Sequence, residues 1–222
     1  MKRVLEFYET VVSCENSDKN CPNTVNNLNS GNPPRGFYTE GKPKDIVLLL
    51  VAKNPGHPLK EEQKMYCQLP PREIVQTHIE FIRNIFQRHH TFGSSDRRSL
   101  TFHKNLFRYM SYFLDIPEDE VFQQCAYTNL VKCSSIGERD NLRIATMREC
   151  FQNHLVREIE LFNPNAIIAF GREVYNFLSR DAVKRLHLKP VVYIKHPSYY
   201  YRKDQEPKIL AGLKSEIAQH LS

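Results

Sequence analysis

The chain has 222 residues, enough for one α/β domain with a substantial buried core and short for two independent ones. With 41% hydrophobic and 25% charged residues its composition is that of an ordinary globular domain, and the absence of any apolar run of bilayer length excludes a membrane-spanning helix. A formal charge of +6 and a pI near 9.0 favour a polyanionic partner such as nucleic acid, a signal that any solvated cationic surface also gives.

Met1–Tyr8 does not combine a basic start, an apolar core and a small-residue cleavage site, so the expected location is inside the cell, in cytoplasm or nucleoid, as a monomer away from membranes. Six cysteines without an export signal point to buried, reactive or metal-bound thiols rather than disulfides. Residues Asn16–Lys44 are rich in Asn, Pro, Gly and Ser and lack periodicity, which predicts a long irregular connection tied down by something. After it, strands and helices alternate. Ile46–Ala52, Ala126–Leu130, Ala166–Phe170 and Val191–Ile194 are short apolar runs suited to strands buried on both faces. Helical patterns cover Glu73–Gln87, with Ile74, Phe81, Ile82 and Ile85 on one side, and Asn105–Leu114, with Leu106, Tyr109, Met110 and Phe113. Further helices are predicted at Met147–Phe162, Arg172–Leu178 and Lys208–Leu221. The alternation implies a single domain of the α/β class: three α/β/α layers around a mainly parallel four-stranded sheet.

In such sheets ligands collect beyond the carboxyl ends of the strands. There the sequence places Lys53-Asn54-Pro55-Gly56-His57, Asn129-Leu130-Val131-Lys132, Gly171-Arg172-Glu173 and Lys195-His196-Pro197-Ser198. Val51-Ala52-Lys53-Asn54-Pro55-Gly56 resembles the first motif of uracil-DNA glycosylases in its Asn-Pro-Gly form, which the mismatch-specific and single-strand-selective branches use. Lys195-His196-Pro197-Ser198-Tyr199-Tyr200 resembles their second motif. Tyr127-Thr128-Asn129-Leu130-Val131-Lys132-Cys133, then Cys150, then Asn163-Pro164-Asn165-Ala166-Ile167-Ile168-Ala169-Phe170-Gly171 is similar to family 4 of that superfamily in residue type and order.

The resemblance implies hydrolysis of the N-glycosidic bond of uracil in DNA, leaving an abasic site. Asn54 would position the attacking water, and His196 would donate to uracil O2 as the base departs with negative charge. Asn129 would read the base, because a carboxamide can accept from N3–H and donate to O4. Phe102 would stack on the base, with Tyr66 as its competitor, while Gly56 and Ser198 belong to the substrate-binding loops. Gly56 stands where strict uracil enzymes carry a tyrosine that excludes the thymine methyl. Tyr199, Tyr200, Arg202 and Lys203 would contact DNA, with Tyr200 as the wedge. Each assignment has a plainer competitor: an Asn closing a strand in a turn, a loop-capping His, an aromatic loop packed on its own domain. The first motif departs from family 4 in having Lys53 where those enzymes carry Glu. That departure keeps two other readings in view: a protein that binds uracil-containing or single-stranded DNA without turnover or links covalently to it, for which the His89-His90 pair is the candidate, and a glycosylase for hypoxanthine or xanthine.

By the same resemblance Cys14, Cys21, Cys133 and Cys150 would hold a 4Fe-4S cluster, thiolates being its usual ligands. Six residues separate Cys14 from Cys21 where relatives use a tighter pair, so reduced cysteines and zinc are the alternatives. Cys67 and Cys125 have no counterpart, and Cys125 is expected in the core.

Overall fold

The structure is a computed structural model, and it describes residues 2–15, 21–56, 58, 60–88, 97–136 and 142–221. The elements run α1 (Lys2–Val12), β1 (Thr24–Val25), β2 (Leu48–Ala52), α2 (Lys60–Tyr66), α3 (Pro71–Arg88), α4 (Arg97–Leu114), α5 (Val121–Gln124), β3 (Cys125–Asn129) and β4 (Ser134–Ser135). Then follow α6 (Ile144–Cys150), a π-helical turn over Phe151–Leu155, α7 (Val156–Phe162), β5 (Ala166–Phe170), α8 (Arg172–Leu178), α9 (Asp181–His187), β6 (Val191–Ile194) and α10 (Glu206–Leu221).

β2, β3, β5 and β6 form one sheet in the order β3-β2-β5-β6, and every pairing is parallel. All five residues of β2 and all five of β5 are buried. Successive strand residues face opposite sides, so such burial requires a helical layer on each face. On one side α8 packs on β5 and β6 and meets α9, which meets α7; elsewhere α10 packs on α4 and on β5 and β6. The expected α/β architecture holds. The chain leaves β2 toward β3 on one side and returns to β5 on the other, so the switch in strand order falls between β2 and β5. Their carboxyl ends are where a ligand crevice opens.

Two expectations are corrected. The N-terminal segment is not merely irregular: β1 pairs antiparallel with β4, Tyr38 exchanges backbone bonds of 2.8 Å with Tyr127, and the Arg35 N–H donates to the Lys132 carbonyl at 2.7 Å. Protein hydrogen bonds therefore tie it to β3 and the segment beyond. Second, α4 begins at Arg97 rather than Asn105, because the polar first half of the helix carries no apolar stripe to announce it. Helices α1, α2, α5 and α9 were not anticipated. α1 buries Val4, Phe7, Tyr8, Val11 and Val12, spaced for one helical face. Among the described residues no helix is long and apolar enough to cross a membrane.

A buried polar cluster links α1, β3 and α7. Lys132 bonds to Glu158 and to Thr128 Oγ1, and Thr128 Oγ1 donates to the second Glu158 oxygen at 2.8 Å. The two charged side chains are 1% and 0% exposed. Burial, then the Glu158 charge, pushes the neighbouring Tyr8 phenol well above its ordinary pKa, so it remains a donor.

Candidate active site

Asn54, Asn129 and His196 all lie at the carboxyl edge of the sheet, just beyond or at the ends of β2, β3 and β6. Register starts the Asn54 loop beside Asn129, since Ala52, two residues before Asn54, is paired with Asn129 of β3. Contacts then run across the edge as a continuous chain. Gly36 touches both Asn129 and the first-motif loop: a Cβ at Gly36 would sit 1.9 Å from Asn129 Nδ2 and 3.3 Å from Pro55 Cβ. The Tyr127 hydroxyl reaches Asn129 Oδ1 at 3.4 Å, and the Tyr127 ring lies 6.0 Å from Phe102. Phe102 in turn lies 5.4 Å from His196, their planes tilted by 38°. The sequence-chosen catalytic and base-reading residues and the stacking phenylalanine thus share one neighbourhood.

His196 sits in the turn after β6. The Ser198 backbone N–H donates to its Nδ1 at 3.3 Å, and Tyr199 N–H donates to its carbonyl at 2.9 Å. A lone pair on Nδ1 leaves the proton on Nε2. Burial lowers the imidazole pKa below its ordinary value, which keeps the ring neutral. The loop is held from outside by Asn105, buried in α4, whose Nδ2 donates to the Pro197 carbonyl at 2.7 Å. Gly171, at φ +91°, brings the β5 exit against the histidine, its own N–H bonded to the Ile194 carbonyl. An L-residue would be strained in that conformation.

The first-motif loop is gripped by Arg35. This buried guanidinium donates to Glu62 Oε1 and Ser134 Oγ at 3.0 Å each, and to the Gly56 carbonyl. Ser134 Oγ donates to the same carbonyl at 2.9 Å. Asn54 Nδ2 donates to the Pro55 carbonyl at 3.2 Å, which commits the amide nitrogen to its own loop. Among the described residues nothing lies within 4 Å of where a Gly56 side chain would begin. Lys53 pairs with Glu173 of α8 at 2.8 Å, across the β2–β5 switch point. The Lys53 cation is thereby neutralised by a carboxylate from the next strand exit.

Tyr66 is fully buried and donates to Glu62 at 3.1 Å while meeting His78 Nδ1 at 2.8 Å. It offers no ring face to a base, and of the two aromatic candidates only Phe102 lies beside His196. Tyr199 and Tyr200 are 62% and 61% exposed. Lys195 lies over the Tyr199 and Tyr201 rings and donates to the Tyr200 carbonyl, while the Tyr200 hydroxyl meets Thr101 Oγ1 at 3.3 Å. Arg202 and Lys203 are exposed, and Arg202 pairs loosely with Asp204 at 3.4 Å. His57 and the His89-His90 pair lie outside the described residues.

Cys14, Cys21, Cys133 and Cys150 line one cavity together with Lys132 and His154. Burial, then the mutual influence of Cys150, Cys14 and Cys21, pushes the Cys133 thiol well up, so the four sulfurs feel one another. The Lys132 backbone N–H donates to Cys150 Sγ at 3.3 Å. Among the described residues no three His, Cys, Asp or Glu side chains are drawn together around one ion. The donor set is all sulfur and is spread around a cavity, which fits a multinuclear iron–sulfur group in ligand type. Cys125 is in the core, and Cys67 donates to the Asn29 carbonyl at 3.0 Å.

Sequence reasoning missed Arg35 and Gly36 and gave no role to Asn105 or to Glu173, which it had placed at a strand exit. A polar residue on the apolar face of a helix was the available signal at Asn105. No curated protein matches the chain. A family model described as the uracil DNA glycosylase superfamily matches residues 38–220.

Proposed function

The chain belongs to the uracil DNA glycosylase superfamily, and on that footing we propose that it removes uracil from DNA by hydrolysing the N-glycosidic bond. The observation that carries the reading is the unbroken run of contacts from the Asn54 loop through Gly36, Asn129, Tyr127 and Phe102 to His196. The C1′–N1 bond breaks with its electron pair leaving on the base, and water oxygen bonds to C1′ with its proton released to solvent or base. His196 Nε2–H donates to uracil O2 as it becomes anionic. Asn54 Oδ1 accepts from the water and aims it, a role in which orientation outweighs basicity when the base leaves first. Phe102 offers a ring face to the extruded base. Tyr199 and Tyr200 occupy the helix gap, and Arg202, Lys203 and the net charge engage phosphates.

The test is a uracil-containing oligonucleotide incubated with the protein and then treated with alkali. Scission is expected with wild type and its loss with Asn54→Ala. Tight, salt-sensitive binding without an abasic product would move the protein to the non-catalytic reading. Uracil need not be the sole substrate: Gly56 brings no side chain to the first-motif loop, so hypoxanthine and xanthine oligonucleotides belong in the same assay.

The cysteine cavity supports the further proposal that Cys14, Cys21, Cys133 and Cys150 hold a 4Fe-4S cluster. When bound, the cluster would cross-link the N-terminal segment to the β3 exit and to the start of the π-helical turn, a structural role. Protein purified without oxygen is expected to be brown, with about four irons per chain. Colourless protein without iron or acid-labile sulfide would defeat the assignment.

A further inference from the structure

The Asn129 carboxamide sits between two partners that demand the same orientation. Its Nδ2 donates to the Gly36 carbonyl at 2.9 Å, and its Oδ1 faces the Tyr127 hydroxyl at 3.4 Å. We propose that Gly36 and Tyr127 are specificity-determining residues that lock the polarity of Asn129, so that the site takes bases with a lactam edge and rejects amino bases. The proposal rests on the reading of Asn129 as the base-reading residue.

A free carboxamide is nearly symmetric in shape, and turning it over exchanges donor for acceptor. One face would suit uracil, whose N3–H lies beside O4; the other would suit cytosine, whose bare N3 lies beside an amino group. Here a flip would set Oδ1 against the Gly36 carbonyl, two acceptors with no proton between them, and a buried mismatch of that kind is costly. In the locked state Nδ2 keeps its second hydrogen for an exocyclic oxygen, and Oδ1 keeps a lone pair for a ring N–H. Hypoxanthine, with N1–H beside O6, presents the same edge as uracil. Thymine and guanine carry that edge as well, so the lock separates lactam edges from the amino edges of cytosine and adenine, and the size of the base is read by other parts of the site.

Both jaws are built into the backbone. Gly36 has φ +85°, and its Cβ position is filled by Asn129 Nδ2 at 1.9 Å, so no side chain fits there. Arg35 N–H anchors the segment to the Lys132 carbonyl. Tyr127 lies two residues before Asn129 on β3, and burial pushes its phenol up, so it remains a donor. Its backbone pairs on both sides with Tyr38, two residues after Gly36. The two jaws are thus held to each other.

The test measures affinity, with full-length protein and single-stranded oligonucleotides carrying a non-hydrolysable 2′-fluoroarabino uridine or cytidine. Wild type is expected to prefer uracil. Tyr127→Phe is expected to reduce the uracil-to-cytosine ratio several-fold and Gly36→Ala roughly tenfold, about the net worth of one buried hydrogen bond. Added to Asn129→Ala, neither substitution should change the ratio further. In ¹⁵N-labelled wild type, one Asn129 side-chain proton should be protected from exchange and the other not. An unchanged ratio in Tyr127→Phe, or an equal fall in the Asn129→Ala background, overturns the lock while leaving the glycosylase reading intact. Wild type that cleaves uracil DNA without preferring uracil to cytosine overturns it as well. Wild type that neither cleaves nor prefers uracil removes both. Should Gly36→Ala not fold, Tyr127→Phe and the exchange measurement decide.

Discussion

Replacing His196 by alanine is expected to lower kcat for uracil excision by roughly 10²–10³-fold with little change in KM, because the lost hydrogen bond is to charge that develops only as the base departs. The Ser198 N–H on Nδ1 fixes the donor at Nε2, and burial keeps the ring neutral. A neutral donor predicts its own pH profile. With its pKa lowered, His196 takes up a proton only below the ordinary histidine value of about 6.5, so kcat/KM should be level from pH 8 to that point and fall beneath it. Protonation at Nδ1 would then oppose the Ser198 N–H and break the turn that aims the ring. His196→Gln retains an N–H donor without titrating, so it should recover part of the rate and lose this acid limb. A limb at or above pH 6.5 that vanishes in His196→Gln would show that the imidazolium acts instead, and the neutral-donor assignment would fall. A uniform rise in KM with kcat unchanged would reduce His196 to a binding contact.

The same residues show where sequence was informative. β5, β6 and α8 have the bounds read from the sequence, and for β5 the reason is an unbroken apolar run in a doubly covered strand with no polar interruption to blur it. The edge residues Asn54, Asn129 and His196 could be placed because strand exits define the ligand side of any parallel sheet. What was not legible depends on distant partners. Gly36 follows Pro-Pro-Arg in a stretch without periodicity, and only the approach of Asn129, far along the chain, explains why it must be glycine. Arg35 reads as one more surface cation until Glu62, Ser134 and Gly56 close around it. Lys53 looked like a defect in the first motif; the partner that neutralises it, Glu173, belongs to a different strand exit. The long N-terminal segment was expected to be tied down by something, and β1–β4 pairing and the Tyr38–Tyr127 bonds do so. A cluster is thus a proposal about the cysteines and not a requirement of the loop.

Lys132→Met should be strongly destabilising, since it strands Glu158, which is wholly buried beside the Thr128 hydroxyl and the Tyr8 phenol. Removing one member of a buried pair typically costs about 3–5 kcal/mol, because the remaining charge stays desolvated. For a domain of this size that corresponds to a fall in Tm of roughly 6–20 °C. The double variant Lys132→Met with Glu158→Leu removes both charges and keeps apolar volume, so it should recover most of the loss. Thermal melts of wild type, both single variants and the double variant check this cycle. If the double variant is as unstable as Lys132→Met, packing rather than the stranded charge sets the cost. The cycle also bears on the site. Thr128 immediately precedes Asn129, and Lys132 lies between Asn129 and Cys133, so the pair fixes the strand exit that carries both the amide proposed to read the base and one cysteine of the cavity. A double variant that regains Tm but loses uracil-over-cytosine preference would assign the ion pair to the alignment of that exit. One that regains both would leave it a purely structural bolt beneath β3.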